Sequence, residues 1–100
     1  MTMEELTQNQ VQLARFAKAL GHPVRIKILK MLAQKSCCYH TNMSEMLPIA
    51  KSTLSQHLKE LKNAGLICQE KITLPSIKYC INTENWILAK KLFNELLNEN

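Results

Sequence analysis

Glycine and proline are scarce: the 100 residues contain two and three of them. So few turn residues argue for a mostly helical chain with few tight reversals. Long apolar runs are missing too. None approaches the roughly 18 residues that a membrane span requires, so no membrane partner is expected. The opening MTMEELTQNQ is polar and acidic, unlike a secretory signal, and a cytoplasmic location is the expectation. Aspartate does not occur at all; the eight acidic residues are all glutamate. Internal repeats, linkers and low-complexity tracts are also lacking, which leaves residues 1–100 as one domain with a single core.

A hydrophobic fraction of 46% is ordinary for a folded chain. Thirteen basic against eight acidic residues give a net charge of +5. Most of the positive charge lies between Arg15 and Lys62, while Glu4, Glu5, Glu84, Glu95 and Glu99 sit near the two ends. This uneven spread favours an anionic partner such as nucleic acid. It does not separate sequence recognition from simple phosphate attraction.

The stretch KSTLSQHLKELKNAGLIC, from Lys51 to Cys68, is the most informative. Ser52 and Thr53 can cap a helix through their side-chain oxygens. Leu54, Leu58 and Leu61 recur at helical spacing, and Gly65 stands where a left-handed C-cap would stop the run. Opposite the leucine stripe lie Ser52, Gln56, Lys59, Glu60 and Asn63, with Thr53 and Ser55 at the flanks. In the DNA major groove Gln reads adenine, Lys reads guanine, and Ser or Thr suits either. A plain amphipathic surface helix fits the same pattern.

Elsewhere, apolar periodicity predicts a first helix from about Glu4 to Leu20, ended by Gly21. His22-Pro23 opens a second helix that is apolar around most of its circumference and therefore central. KSCCYH reads as irregular. Asn42 with Glu45 three residues later predicts a short helix through Leu47, broken at Pro48. Leu66 to Ile72 and Ile77 to Ile81 read as two strands joined across Thr73-Leu74-Pro75-Ser76, with Ile77, Tyr79 and Ile81 on one face. Thr83 can cap a last helix through Leu97. The predicted fold is mainly helical with a small hairpin, four helices, two strands and a final helix. Its helix-turn-helix spans about 42–64 and its wing about 66–82. Trp86, Ile87, Leu88, Leu92, Phe93, Leu96 and Leu97 exceed what one small core needs. They suggest that helices near 4–20 and 84–98 build a dimer interface, although both can also simply cover the core.

The order of these elements and two local motifs resemble one family. ALGHPVRIKILKML is similar to the ALGxPxRxxIL signature of the ArsR/SmtB-type winged-helix repressors, and SEMLPIAKSTLSQHLKELKNAGLI is similar to their helix-turn-helix. The likeness runs roughly from Ala17 to Trp86. It implies a homodimeric transcription regulator, usually a repressor, whose affinity for double-stranded operator DNA falls when an effector binds. Carried over by position, Ser52, Thr53, Ser55, Gln56 and His57 would lie at the DNA surface. Lys51 and Lys59 would approach phosphates, and Lys71 and Lys78 on the wing would reach the minor groove or backbone. For His57, at the edge of the leucine stripe, a partly buried structural role is equally open.

The resemblance also implies effector sites. One family pattern uses Asp and His ligands on the terminal helix for zinc; with no Asp and no His after His57, that site is absent. Another uses cysteines near the start of the helix-turn-helix. Cys37, Cys38 and His40 fall there, and Cys80 matches a cysteine of some relatives. Thiolates suit a thiophilic metal or metalloid ion, such as arsenite or zinc. Oxidation of the thiols without metal is a second possibility, and an organic effector or none a third. Cys68 and Cys80 also fit as small hydrophobes in a reducing compartment.

Three function classes compete. The foremost is a sequence-specific DNA-binding regulator, and the alternative is a winged-helix protein-interaction module without specific DNA recognition. An enzyme is not expected, because no third catalytic group has a recognisable place beside Cys37, Cys38 and His40.

Overall fold

Thr7 and Gln10 start the first helix by capping each other. Thr7 Oγ1 accepts from the Gln10 amide at 3.1 Å, and Gln10 Oε1 accepts from the Thr7 amide at 2.9 Å. The computed structural model describes residues 6–70 and 77–98. In chain order the elements are α1 (Gln8–Ala19), α2 (Pro23–Lys35), β1 (Cys37–Tyr39), α3 (His40–Met46), α4 (Lys51–Asn63), β2 (Ile67–Gln69), β3 (Lys78–Ile81) and α5 (Thr83–Leu97). The helix–helix–wing–helix order is the one the sequence predicts, with one strand added.

That strand, β1, occupies the KSCCYH segment read as irregular. Ser36 ends α2 at φ 69, a left-handed value more usual for Gly, and turns the chain sharply into it. The Ser36 carbonyl accepts from the Ile81 amide at 3.0 Å, which ties the reversal to β3. The sheet is antiparallel, ordered β1-β3-β2, so β3 is its centre.

Several boundaries differ from the sequence reading. α4 begins at Lys51 after Ala50, which has no side-chain oxygen, so Ser52 and Thr53 lie inside the first turn and do not cap it. Asn82, not Thr83, caps α5, accepting from the Asn85 amide at 3.1 Å. α3 starts at His40, two residues before Asn42. The strands are shorter than predicted. Thr73 to Ser76 and Lys71 lie outside the described residues, as do Glu4 and Glu5.

The core forms where α2 and α4 meet the sheet and α1 lies against α5. Phe16, Ile28, Leu32, Met43, Leu54, Leu58, Leu61, Leu66 and Ile67 are fully buried there. The three leucines of α4 are therefore its anchoring stripe, as their spacing predicts. Among the described residues no helix is long and apolar enough to cross a membrane.

Candidate functional site

α4 meets solvent with the face opposite its leucines. Lys51, Ser52, Thr53, Ser55, Gln56 and Lys59 are all exposed, while Leu54, Leu58 and Leu61 are sealed beneath. Hydroxyl, amide and ammonium groups thus share one convex surface with no carboxylate in the first two turns. The helix is held from three sides. His40 Nε2 on α3 and Ser55 Oγ share a hydrogen bond of 3.0 Å across the helix-turn-helix. Lys62 Nζ donates to Gln69 Oε1 on β2 at 3.3 Å. At the C-terminus Gly65 adopts φ +85, and its carbonyl accepts from Asn85 Nδ2 on α5 at 2.9 Å.

His57 does not belong to this face. It is 8% exposed and turned inward, correcting its assignment to the DNA surface. Its Nδ1 accepts from Arg25 Nε at 3.0 Å, and its ring lies 4.4 Å from that of His22. Burial lowers its pKa from the ordinary 6.5, and the neighbouring charges of His22 and Arg25 lower it further. A neutral imidazole is what the Arg25 bond requires, since a guanidinium only donates.

On the wing, Lys78 Nζ lies 3.5 Å from a Glu70 carboxylate oxygen, and both side chains are well exposed. Such a pair is weak and easily exchanged for another anion. Lys71 lies outside the described residues.

The four residues proposed as a metal or thiol sensor do not form one group. Cys37 pairs with Cys80 across β1 and β3, and their sulfurs form a disulfide. Cys38, next in the strand, points to the other side of the sheet and is buried in the core. His40 is directed to Ser55. The predicted CxC-like use of Cys37, Cys38 and His40 is therefore corrected: adjacent strand residues face opposite ways.

Glu70, which the sequence reading left out, and Cys68, which it read as a small hydrophobe, stand by the disulfide instead. Glu70 brings a carboxylate oxygen within 4.8 Å of both sulfurs. Cys68 is a free, exposed cysteine directly opposite Cys80 on β2. Cys37, Cys68, Glu70 and Cys80 line one open cleft of about 400 Å³ together with Ser36 and Trp86. A thiophilic ion does not fit this cluster as it stands, because sulfurs bonded to each other offer no thiolate. Only strand register reveals the grouping, and register is not visible in residue spacing.

A profile of the bacterial regulatory protein, arsR family, matches residues 22–68, from the start of α2 into β2. The HTH-type transcriptional regulator YgaV of Escherichia coli K12 is 34% identical over 92 residues, covering 87% of this chain and 92% of its own. This chain belongs to the ArsR family. An uncharacterized HTH-type transcriptional regulator of Mycobacterium tuberculosis is 30% identical over 87 residues, covering 79% of this chain and 76% of its own. Among solved structures, HlyU from Vibrio cholerae superposes with a TM-score of 0.73 at 26% identity, covering 92% of this chain and 94% of that one. The ArsR-family chain is accordingly a transcriptional regulator of winged-helix fold and not an enzyme.

Proposed function

We propose that this ArsR-family regulator is a homodimeric repressor that reads operator DNA through α4 and leaves it when its cysteines are oxidised. The observation that carries the DNA reading is the division of α4. Three leucines anchor it at 0% exposure, and Ser52, Thr53, Ser55, Gln56 and Lys59 project outward. Gln56 and the hydroxyl residues would meet base edges, and Lys51 and Lys59 would meet phosphates. Lys78 on the wing, exchanging Glu70 for phosphate, and Lys71 by its place in the sequence would add backbone contacts. A cytoplasmic site of action goes with this reading.

Pairing of two chains is supported by what α1 and α5 leave uncovered. Val11 is 42% exposed, Ile87 61%, Leu96 51% and Leu97 76%. Exposed apolar side chains of this size are costly on a small domain unless covered. The molecule is also long for its width, 48 by 23 by 23 Å. Two copies joined through these helices would set two α4 helices about one DNA turn apart, as successive major grooves require.

For the effector, the support is the cross-link itself. Cys37 begins β1, which runs straight into α3, and Cys80 lies on the central wing strand. Making or breaking that bond changes how firmly the helix-turn-helix is tied to the wing. A mobility shift at physiological salt against the promoter of its own operon tests both halves. Reduced protein should bind tightly, and oxidation should weaken binding by about tenfold or more, the usual range of such coupling. Cys80→Ser, which removes the sulfur on the central strand, should bind like reduced protein under both conditions. Weak, sequence-indifferent retardation in every sample would overturn the repressor reading. Equal affinity of the reduced and oxidised wild type would overturn the effector reading alone.

A further inference from the structure

Three cysteines, not two, stand in a single row across the sheet. Cys80 on the central strand is opposite Cys37 on one side and opposite Cys68 on the other. Residues directly opposite in antiparallel strands project to the same face, and neighbouring strands lie about 4.8 Å apart. All three line the same cleft. The Cys68 thiol already leans toward β3, donating from Sγ to the Cys80 carbonyl at 3.6 Å. Cys38, the remaining cysteine, is buried on the opposite face and has no part in the row.

We propose that Cys68 is the third sulfur of a relay, able to displace Cys37 from Cys80 and so move the cross-link from β1–β3 to β2–β3. This rests on the reading of Cys37–Cys80 as the redox-responsive pair and adds a second oxidised form to it. Thiol–disulfide exchange needs a thiolate that attacks one sulfur while the other leaves on the far side. The row supplies those three positions in order: Cys68 as attacker, Cys80 as centre and Cys37 as leaving group. Cys68 is exposed and gives its proton to solvent. Its thiolate forms the new bond to Cys80 Sγ, the Cys37–Cys80 bond breaks, and Cys37 leaves as a thiolate that takes up a proton. One disulfide and one thiol stand on each side, so no outside oxidant or reductant is consumed.

The two oxidised forms differ mechanically. A Cys37–Cys80 bond fastens β1, and with it the start of α3, to the wing. A Cys68–Cys80 bond closes the two wing strands on each other and frees β1. Reduction of either form restores the open sheet.

Peptide mapping tests the relay directly, because trypsin separates the three cysteines. They fall in peptides 36–51, 63–71 and 79–90, bounded by Lys35, Lys51, Lys62, Lys71, Lys78 and Lys90. The full-length protein is oxidised, held at mildly alkaline pH, quenched in acid with an alkylating agent, and mapped by tandem mass spectrometry. About a tenth or more of the molecules should carry Cys68–Cys80, since exchange between two alike disulfides is close to balanced. Cys68→Ser should show Cys37–Cys80 alone, and Cys37→Ser should form Cys68–Cys80 on oxidation. The relay is overturned if oxidised wild type never links Cys68, or if links to Cys38 appear alongside and mark scrambling in unfolded chains. Should oxidation alter operator affinity while Cys68 stays free, only the relay fails. Should Cys68–Cys80 form without any change in affinity, the relay stands and the effector reading fails.

Discussion

Arg25 donates through Nε to Nδ1 of His57 at 3.0 Å, joining the start of α2 to the inner side of α4. Because Arg25 can only donate, this bond lasts only while His57 keeps its lone pair. His57 resists protonation in the fold, held below the ordinary histidine value by burial and then by His22 and Arg25. Below pH 6.5 the unfolded chain therefore binds a proton that the folded chain refuses, until the lowered native value is reached. Stability contributed at neutral pH should be lost as the solution is acidified through that window. Thermal melts from about pH 8 to about pH 5 should show a steeper fall for wild type than for His57→Gln, which keeps an acceptor but does not titrate. Parallel slopes would mean His57 takes up its proton freely.

Gln56 and Lys59 should separate base reading from phosphate attraction. Gln56→Ala should relax selectivity at one position of each half-site, a loss of about 1–3 kcal/mol of discrimination. Lys59→Ala should weaken all sequences alike and reduce the salt slope by about 1 per subunit. Binding assays over a salt series with matched and mismatched duplexes make the comparison. The reverse pattern would mean that α4 is turned differently on the DNA.

Removing part of the anchor should loosen the reader without touching it. Leu58 is fully buried on the inner face of α4, and Leu58→Ala should cost about 2–5 kcal/mol in denaturant unfolding. Gly65→Ala should cost on the order of 1–3 kcal/mol, since φ +85 strains any residue with a Cβ. The new carbon would also fall 2.7 Å from Asn85 Nδ2, the group that donates to the Gly65 carbonyl. Wild-type midpoints in both variants would contradict the described packing.

Charges placed at the uncovered apolar positions of α5 should separate subunits. Ile87→Glu and Leu97→Glu replace side chains 61% and 76% exposed in the single chain, so folding should survive. Light scattering should find dimers for wild type and single chains for the double variant, with operator affinity falling in parallel. A dimer that persists through both changes would put the interface elsewhere.

The parts of the fold that one element dictates alone were legible in the sequence. The spacing of Leu54, Leu58 and Leu61, the proline after His22, and Gly65 each depend on local geometry, and the structure has them as read. What escaped depends on distant partners. β1 is three residues long, and the turn that starts it is made by a serine at φ 69, which carries no composition signal. Ala50 precedes α4 without a capping oxygen, and Ser52 and Thr53, the nearby residues with one, fall inside the first turn. His57 lies at the edge of a stripe, where only His22 and Arg25, the latter 32 residues away in sequence, decide its role. The cysteines were visible as residues, but their grouping was not. Cys37 meets Cys80 beside Glu70, and Cys68 stands opposite Cys80 in the same cleft, only because β3 lies between the other two strands.

Selection from random duplex oligonucleotides with the reduced protein tests the central claim most directly. The account predicts enrichment of a two-fold symmetric motif whose halves lie about one helical turn apart. A pool that enriches no motif, or only a single unpaired half-site, would contradict it.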